Sequence, residues 1–276
     1  MQLGKESVAN SAALEKIRLS RKANMVHFVF MPKKPLKAYR NQEFLNSPEA
    51  RAIRVQCELV EPEKRFREKD VSHTIVFFGS ARCPSLENAT DEFSKRRADS
   101  YEAARALSRK LTQWSDELPD ASKRLVVCSG GGPGIMEAAN RGARDADGQS
   151  VALGISLPFE QGVNEYACPD LSFEFHYFFV RKFYFLYHAK ALVVFPGGFG
   201  TMDELFESLT LIQTGKLDKK LPIILYDKEF WNDIIDFDQF VRWGVISPDD
   251  LNLFSFADNV DEAFSQVVEG LQTYHL

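Results

Sequence analysis

Cysteine is scarce in this chain of 276 residues, and the few present do not pair in sequence. Cys57, Cys83, Cys128 and Cys168 form no CxxC, and two of them stand beside predicted strands. That pattern argues against a disulfide framework and fits a reduced, cytoplasmic setting. Histidines number five, are scattered, and form no HExxH. No metal site is expected from them. Positive charge is not in excess: 34 Lys and Arg against 39 Asp and Glu leave a net charge of −5. A nucleic-acid surface is therefore not implied. Long apolar runs are missing too. The richest stretch, Tyr177 to Phe195, is interrupted by Arg181, Lys182, His188 and Lys190 and closed by Pro196-Gly197-Gly198. A membrane span would not carry four such groups, so the stretch reads as a buried helix followed by a buried strand. Residues 1–24 are polar and mixed in charge, and no targeting segment is expected there. Repeats and low-complexity tracts are absent.

Enough apolar residue is present for a sizeable core: 45% of the chain is hydrophobic and 26% charged, ordinary for a globular protein. Residues 1–70 read as a partly helical N-terminal extension. It holds a short apolar run, Met25 to Met31, then a lysine-rich linker, then a helix start at Ser47-Pro48-Glu49. The charges from Glu61 to Asp70 read as a solvated connector. From Val71 onward strands alternate with helices. Strands are predicted at 74–78, 124–128, 151–157, 191–195 and 221–226. Helices are predicted within 91–111 and at 135–144, 180–188, 205–212, 230–243 and 261–271. Continuous apolar strands separated by helices predict an α/β fold over 71–276, with a parallel sheet covered on both faces. Ligands of such sheets bind beyond the carboxyl ends of the strands. That rule places Gly79-Ser80, the Gly130–Gly134 turn, Pro158-Phe159-Glu160 and the Pro196–Thr201 loop on one rim.

The most informative stretch is Pro196-Gly197-Gly198-Phe199-Gly200-Thr201-Met202-Asp203-Glu204, set between an apolar strand and an amphipathic helix. Its glycines allow a sharp turn and close approach of a ligand. The first-turn amides of the following helix then face outward as an anion site, with the Thr201 hydroxyl beside them. The loop lacks the lysine of a P-loop. Asp203 also stands where a dinucleotide fingerprint needs its third glycine. Phosphate binding is thus favoured over NTP hydrolysis or NAD binding. Asp203 and Glu204 are either dipole complements or chemical groups. A second glycine turn, Ser129 to Met136, serves either a ligand or close helix–strand packing. Arg181 and Lys182 sit among aromatics, and helix spacing cannot put both on one face. The reading assigns Arg181 to the rim, meeting an anion or a carboxylate, and buries Phe183 against the sheet.

PGGFGTMDE, with Arg181-Lys182 upstream, resembles the signature of the LOG (Lonely Guy) proteins, the cytokinin riboside 5′-monophosphate phosphoribohydrolases. Gly79-Ser80-Ala81-Arg82, the Ser129–Met136 turn and Leu157-Pro158-Phe159-Glu160 fall in that family's order. The resemblance spans roughly residues 71–270, and the extra N-terminal residues look like its longer bacterial branch. It implies a Rossmann-like doubly wound sheet, a homodimer or higher homo-oligomer, and hydrolysis of AMP or N6-substituted AMP to free base and ribose 5-phosphate. It implies Arg181 and Glu204 as the catalytic pair. Gly197, Gly198, Gly200 and Thr201 would hold the phosphate. Gly79, Ser80, Gly131, Gly132, Met136, Glu160, Lys182, Phe199, Asp203 and Thr210 would be further substrate contacts. No cofactor or metal is called for, and no pyridoxal-phosphate lysine is identifiable behind the family's older label of possible lysine decarboxylase. The chemistry is consistent, because cleaving a ribosyl C–N bond builds positive charge on the sugar that a carboxylate stabilises. Whether Arg181 orients Glu204 or contacts the phosphate stays open. So does a carrier of a phosphate-bearing ligand, such as the molybdenum-cofactor carriers of this fold. A nucleotide-sensing module is a third reading.

Overall fold

In the computed structural model the described residues are 34–157 and 162–276. They fall in two units, Met1–Ala50 and Arg51–Leu276. The described part of the first unit holds a 3-10 turn, Ala38–Arg40, and one α-helical turn, Gln42–Leu45, capped by the Asn41 side chain. The helix start expected at Ser47-Pro48-Glu49 is a 3-10 turn over Pro48–Ala50 that leads directly into α-helix from Arg51. The apolar run 25–31 lies outside the described residues.

The second unit is built on seven parallel strands: β1 His73–Phe78, β2 Leu125–Ser129, β3 Ser150–Ile155, β4 Ser172–Phe175, β5 Ala189–Val194, β6 Ile223–Tyr226 and β7 Ser255–Ala257. Their order is β4-β3-β2-β1-β5-β6-β7. Five were expected. The two others, β4 and β7, are the sheet's edges and are short. Helices α1 Arg51–Glu68, α2 Glu92–Asp116, α3 Ile135–Asp145, α4 Phe178–Tyr187, α5 Phe199–Gln213, α6 Lys228–Ile234, α7 Phe237–Arg242 and α8 Val260–Tyr274 complete the unit. The helix expected over 230–243 is two, because the Asp236 side chain accepts the Gln239 N–H and starts α7 afresh.

Strand periodicity divides the core in two. Ile75 and Phe77 of β1 face Tyr101, Leu107, Ile135 and Val267, from α2, α3 and α8. Val76 and Phe78 face Phe66, Phe185, Leu205 and Trp231, from α1, α4, α5 and α6. Apolar residues thus point to both faces of the central strands, as a doubly wound sheet requires. The stretch 177–195 is a helix followed by a strand, as its charges predicted. Among the described residues no helix is long and apolar enough to cross a membrane.

The connector expected from Glu61 to Asp70 is a correction. Residues up to Glu68 are helical, and Pro62 and Phe66 are buried at helical spacing. Phe66 meets Phe173, Tyr184 and His188 edge-on at 5.3, 5.9 and 4.9 Å. The charged side chains occupy the remainder of the helix circumference, which hid a narrow apolar stripe. The compact unit accordingly starts at Arg51, ahead of the boundary expected at residue 71.

The chain leaves β1 toward β2, β3 and β4 on one side. It returns beside β1 with β5 and continues to β6 and β7 on the other. The loops after β1 and β5 diverge at that reversal, which opens a crevice at the carboxyl ends of those two strands.

Candidate active site

A cavity of about 770 Å³ fills the crevice. Its wall comes from the loop after β1, the second glycine turn, the ends of α4 and α6, and the start of α5.

Helix α5 begins at Phe199, earlier than the expected Leu205, with Gly198 as its N-cap residue. Its first internal bond runs from the Met202 N–H to the Gly198 carbonyl. The N–H groups of Phe199, Gly200 and Thr201 therefore have no helical acceptor, and all three residues line the cavity. No side chain caps this end, so the amides and the positive end of the dipole face the cavity together. Gly197 has a steric reason to be glycine. A Cβ there would fall 2.1 Å from Thr201 Oγ1, which folds back over the loop.

The loop after β1 fastens both glycine turns. Ser80 N–H donates to the Pro196 carbonyl at 3.0 Å, and Ser80 O accepts the Ile135 N–H at 3.0 Å. Gly134, at φ +71°, permits this contact, since a Cβ would meet Ser80 O at 2.3 Å. The second turn is held from behind by Asn164, whose Nδ2 donates to the Gly131 and Gly132 carbonyls at 3.0 and 3.1 Å.

Helical register explains Glu204. Because α5 starts at Phe199, Asp203 and Glu204 lie in its second turn, beyond the usual position of dipole complements. Glu204 turns inward, is buried, and lines the cavity. Arg181 Nη2 stands 3.7 Å from Glu204 Oε1, and Lys182 Nζ stands 3.9 Å from Glu204 Oε2. Both residues of the expected pair therefore reach Glu204, where spacing had admitted only one. Arg181 lies over the Phe178 and Phe185 rings at 5.2 and 5.5 Å. Lys182 is held by Asp203 and Glu207 at 2.8 and 2.7 Å. Burial pushes the Glu204 carboxyl up to about 7; Lys182 and Arg181 oppose this, while Glu207 and Asp203 add to it. Burial acts against the Lys182 ammonium, but its bonds to Asp203 and Glu207 and the Glu204 charge hold it above its ordinary value. A buried carboxyl that titrates near neutrality, facing an anion site, is suited to proton transfer.

Of the residues read from sequence, Gly79, Ser80, Met136, Arg181, Gly197, Gly198, Phe199, Gly200, Thr201 and Glu204 meet at this cavity. Gly131 and Gly132 do not border it and serve the Asn164 contact. Lys182 and Asp203 also stand off its lining and pair with each other. Thr210 is exposed further along α5, with its hydroxyl bonded to the Phe206 carbonyl. Glu160 lies outside the described residues. Sequence reasoning missed Arg97 and the apolar wall of Ile155, Leu157, Phe178 and Phe185. Arg97 gives no signal, since it lies on the exposed side of a long polar helix. Arg82 directly follows Gly79-Ser80-Ala81 and was findable.

Phe183 departs from expectation: it is 44% exposed, whereas Phe185 is 2% exposed. The contrast that separates packing from chemistry in α4 therefore lies between Arg181 and Phe185. Phe185→Ala is expected to cost about 3–5 kcal/mol of stability, and Phe183→Ala much less. Arg181→Ala is expected to lose turnover with a small change in melting temperature, because a guanidinium at a cavity wall adds little to the core. Paired thermal melts and rate measurements check this. An Arg181→Ala protein that melts as early as Phe185→Ala, yet turns over normally when folded, would make Arg181 structural.

Residues 136–267 match the family model described as "Possible lysine decarboxylase". The chain is 29% identical over 160 residues to a probable cytokinin riboside 5′-monophosphate phosphoribohydrolase of Oryza sativa subsp. japonica, covering 54% of this chain and 67% of that protein. It is 29% identical over 176 residues to a cytokinin riboside 5′-monophosphate phosphoribohydrolase of Arabidopsis thaliana, covering 60% of this chain and 74% of that protein. Among solved structures, the Moco carrier protein of Chlamydomonas reinhardtii aligns at 18% identity and a TM-score of 0.46, over 73% of this chain and 99% of its own. That likeness is too distant to bear on ligand or reaction. The matched segment takes in Arg181, Lys182 and all of PGGFGTMDE, so the chain is similar to these phosphoribohydrolases over the residues that build the site.

Proposed function

We propose that the protein hydrolyses the N-glycosidic bond of AMP or an N6-substituted AMP, releasing the free base and ribose 5-phosphate. One observation carries the reading: a buried carboxylate, Glu204, lines the same cavity as three helix amides without helical acceptors. Those groups suit the two ends of a nucleotide's ribose 5-phosphate. The amides of Phe199, Gly200 and Thr201 take the 5′-phosphate, and the exposed Arg82 and Arg97 add positive charge at the mouth. The apolar wall of Met136, Ile155, Leu157 and Phe178 takes the base. Glu204 then sits against the sugar. As C1′–N9 breaks, its electron pair leaves with the base and positive charge grows on the ribose. Ionised Glu204 stabilises that charge and accepts a proton from the water whose oxygen bonds to C1′. The proton passes on to the departing base. Arg181 and Lys182 oppose the rise that burial imposes on Glu204, so that the carboxyl titrates at about 7 and its ionised form is available at neutral pH. A lysine-centred decarboxylation would call for a lysine at the cavity, and among the described residues none lines it.

Incubating the protein with a panel of nucleoside 5′-monophosphates and following free base by chromatography tests the proposal. Release of adenine or an N6-substituted adenine supports it. Tight nucleotide binding with no base released would favour a carrier instead. We also propose a homodimer or larger homo-oligomer. Phe179, Phe183 and Tyr187 recur at helical spacing on α4 and are 61, 44 and 58% exposed. Sedimentation velocity checks this; a monomer at micromolar concentration would overturn it.

A further inference from the structure

The second glycine turn, Gly130-Gly131-Gly132, has no side chains with which to hold its own shape, and successive glycines lose much conformational freedom when fixed. A polar network behind the turn supplies the hold. Asn164, in the loop between β3 and β4, donates its backbone N–H to the Gly131 carbonyl at 2.7 Å, adding to its side-chain bonds to Gly131 and Gly132. Its Nδ2 also donates to Asn140 Oδ1 of α3 at 2.9 Å. Asn140 is fully buried. Its own Nδ2 donates to Ser150 Oγ at 3.0 Å, and its Oδ1 accepts the Ser129 hydroxyl at 2.8 Å. Ser129 Oγ in turn accepts the Gly131 N–H at 3.1 Å, which closes the network on the turn. Buried polar groups are costly unless each is bonded, and a fully bonded set specifies one geometry.

Met136 lies on the cavity side of the same turn. A Cβ on Gly130 would fall 2.6 Å from Met136 Sδ, and one on Gly132 would fall 2.8 Å from Met136 Cε. The thioether thus occupies the space that two absent side chains leave. Gly130 and Met136 both line the cavity. We propose that Asn164, backed by Asn140, is a positioning residue for base recognition: it fixes the glycine turn, and the turn fixes Met136 in the apolar wall. The recognition of a base rests on the reading of that wall as the base's seat. The latch itself does not. The anion site is held separately, by the Ser80 bonds to Pro196 and Ile135 and by the α5 amides. The loop that carries Asn164 has other fastenings to α3. Arg144 Nη1 donates to the Glu165 carbonyl at 3.1 Å, and the Arg141 and Arg144 guanidinium groups lie 5.1 and 5.7 Å from the Tyr166 ring. Removing the Asn164 side chain therefore frees the glycine turn and leaves both the loop and the phosphate end in place.

The effect should fall on ligands that carry a base. A site whose competent form is populated only about a tenth of the time binds about tenfold more weakly. For Asn164→Ala the AMP dissociation constant is expected to rise about tenfold, and that of ribose 5-phosphate by less than about twofold. Calorimetric titration in a Glu204→Gln background keeps AMP intact while both ligands are measured. With Glu204 present, KM for AMP should rise by about the same tenfold factor at nearly unchanged kcat. Asn164→Ser, which keeps one donor, stands in if the alanine variant fails to fold. A folded variant that binds AMP as its parent does, or that loses AMP and ribose 5-phosphate equally, overturns the proposal. Selective loss of AMP binding in a protein that releases no base upholds the latch and overturns the proposed hydrolysis.

Discussion

Glu204→Gln is expected to lower AMP hydrolysis by about a hundredfold or more while leaving nucleotide binding intact, the usual scale for losing a general base or charge stabiliser. Glutamine keeps the volume and one acceptor oxygen but neither stabilises growing charge nor takes a proton. The parent should gain activity with pH through a midpoint near 7, because the working form is the carboxylate and its titration is displaced to about 7. The variant should lose that limb. Stability should move the opposite way. A carboxyl whose folded pKa is raised favours the folded state fully below its unfolded value. That contribution is lost as pH climbs through the folded one. Between the ordinary value of 4.5 and about 7, the parent therefore loses stability relative to the variant, by about 3 kcal/mol at most. Above pH 7 the glutamine protein should melt higher. Steady-state rates, calorimetric titration with AMP and melts at pH 5 and pH 8 check these points together. Near-normal turnover in the variant would remove Glu204 from the chemistry.

AMP is expected to exceed adenosine by about a thousandfold in kcat/KM, which corresponds to roughly 4 kcal/mol from charge-assisted bonds at the α5 amides. Adenosine would leave the Phe199, Gly200 and Thr201 N–H groups without their anion. The loss should appear in kcat as well as KM, because phosphate anchoring holds the ribose against Glu204 and that positioning is realised in the transition state. Added ribose 5-phosphate should compete with AMP, whereas ribose should not. Equal kcat/KM for nucleotide and nucleoside would mean that the loop serves another anion.

The five central strands were legible because each is a continuous apolar run ended by glycine, proline or a polar turn. A parallel sheet buried on both faces demands that pattern. The edge strands were not. Ser172-Phe173-Glu174-Phe175 and Ser255-Phe256-Ala257 are too short to show a period, and a strand with one neighbour needs less apolar sequence. The C-terminal part of α1, from Glu61, was hidden by Pro62 and its charges, since only Pro62 and Phe66 are buried in the helix. In the site, PGGFGTMDE disclosed the anion loop and Glu204 as a candidate. It could not disclose the burial of Glu204, which depends on where α4 passes. Nor could spacing show Lys182 beside Arg181 at one carboxylate, because consecutive residues diverge on a helix and converge here only through long side chains. Gly131 and Gly132 look like ligand contacts in sequence, but their carbonyls are taken by Asn164, which belongs to a different loop.

The strand order also governs when the cavity can exist. Its two flanking strands, β1 and β5, pair Phe77 with Val193, and three strands and three helices are made between them. Closing so large a loop costs chain entropy before any contact repays it. During synthesis β1 and β2 can form their half of the sheet early. The crevice has no second wall until β5 is in place, and no anion site until α5 follows it. Aromatic side chains meant for that wall, Phe78 and Phe185 among them, stay uncovered in the interval. The same reversal of strand order that creates the binding crevice therefore makes it a late-forming region, and places the chain's greatest exposure to misassembly before β5 docks.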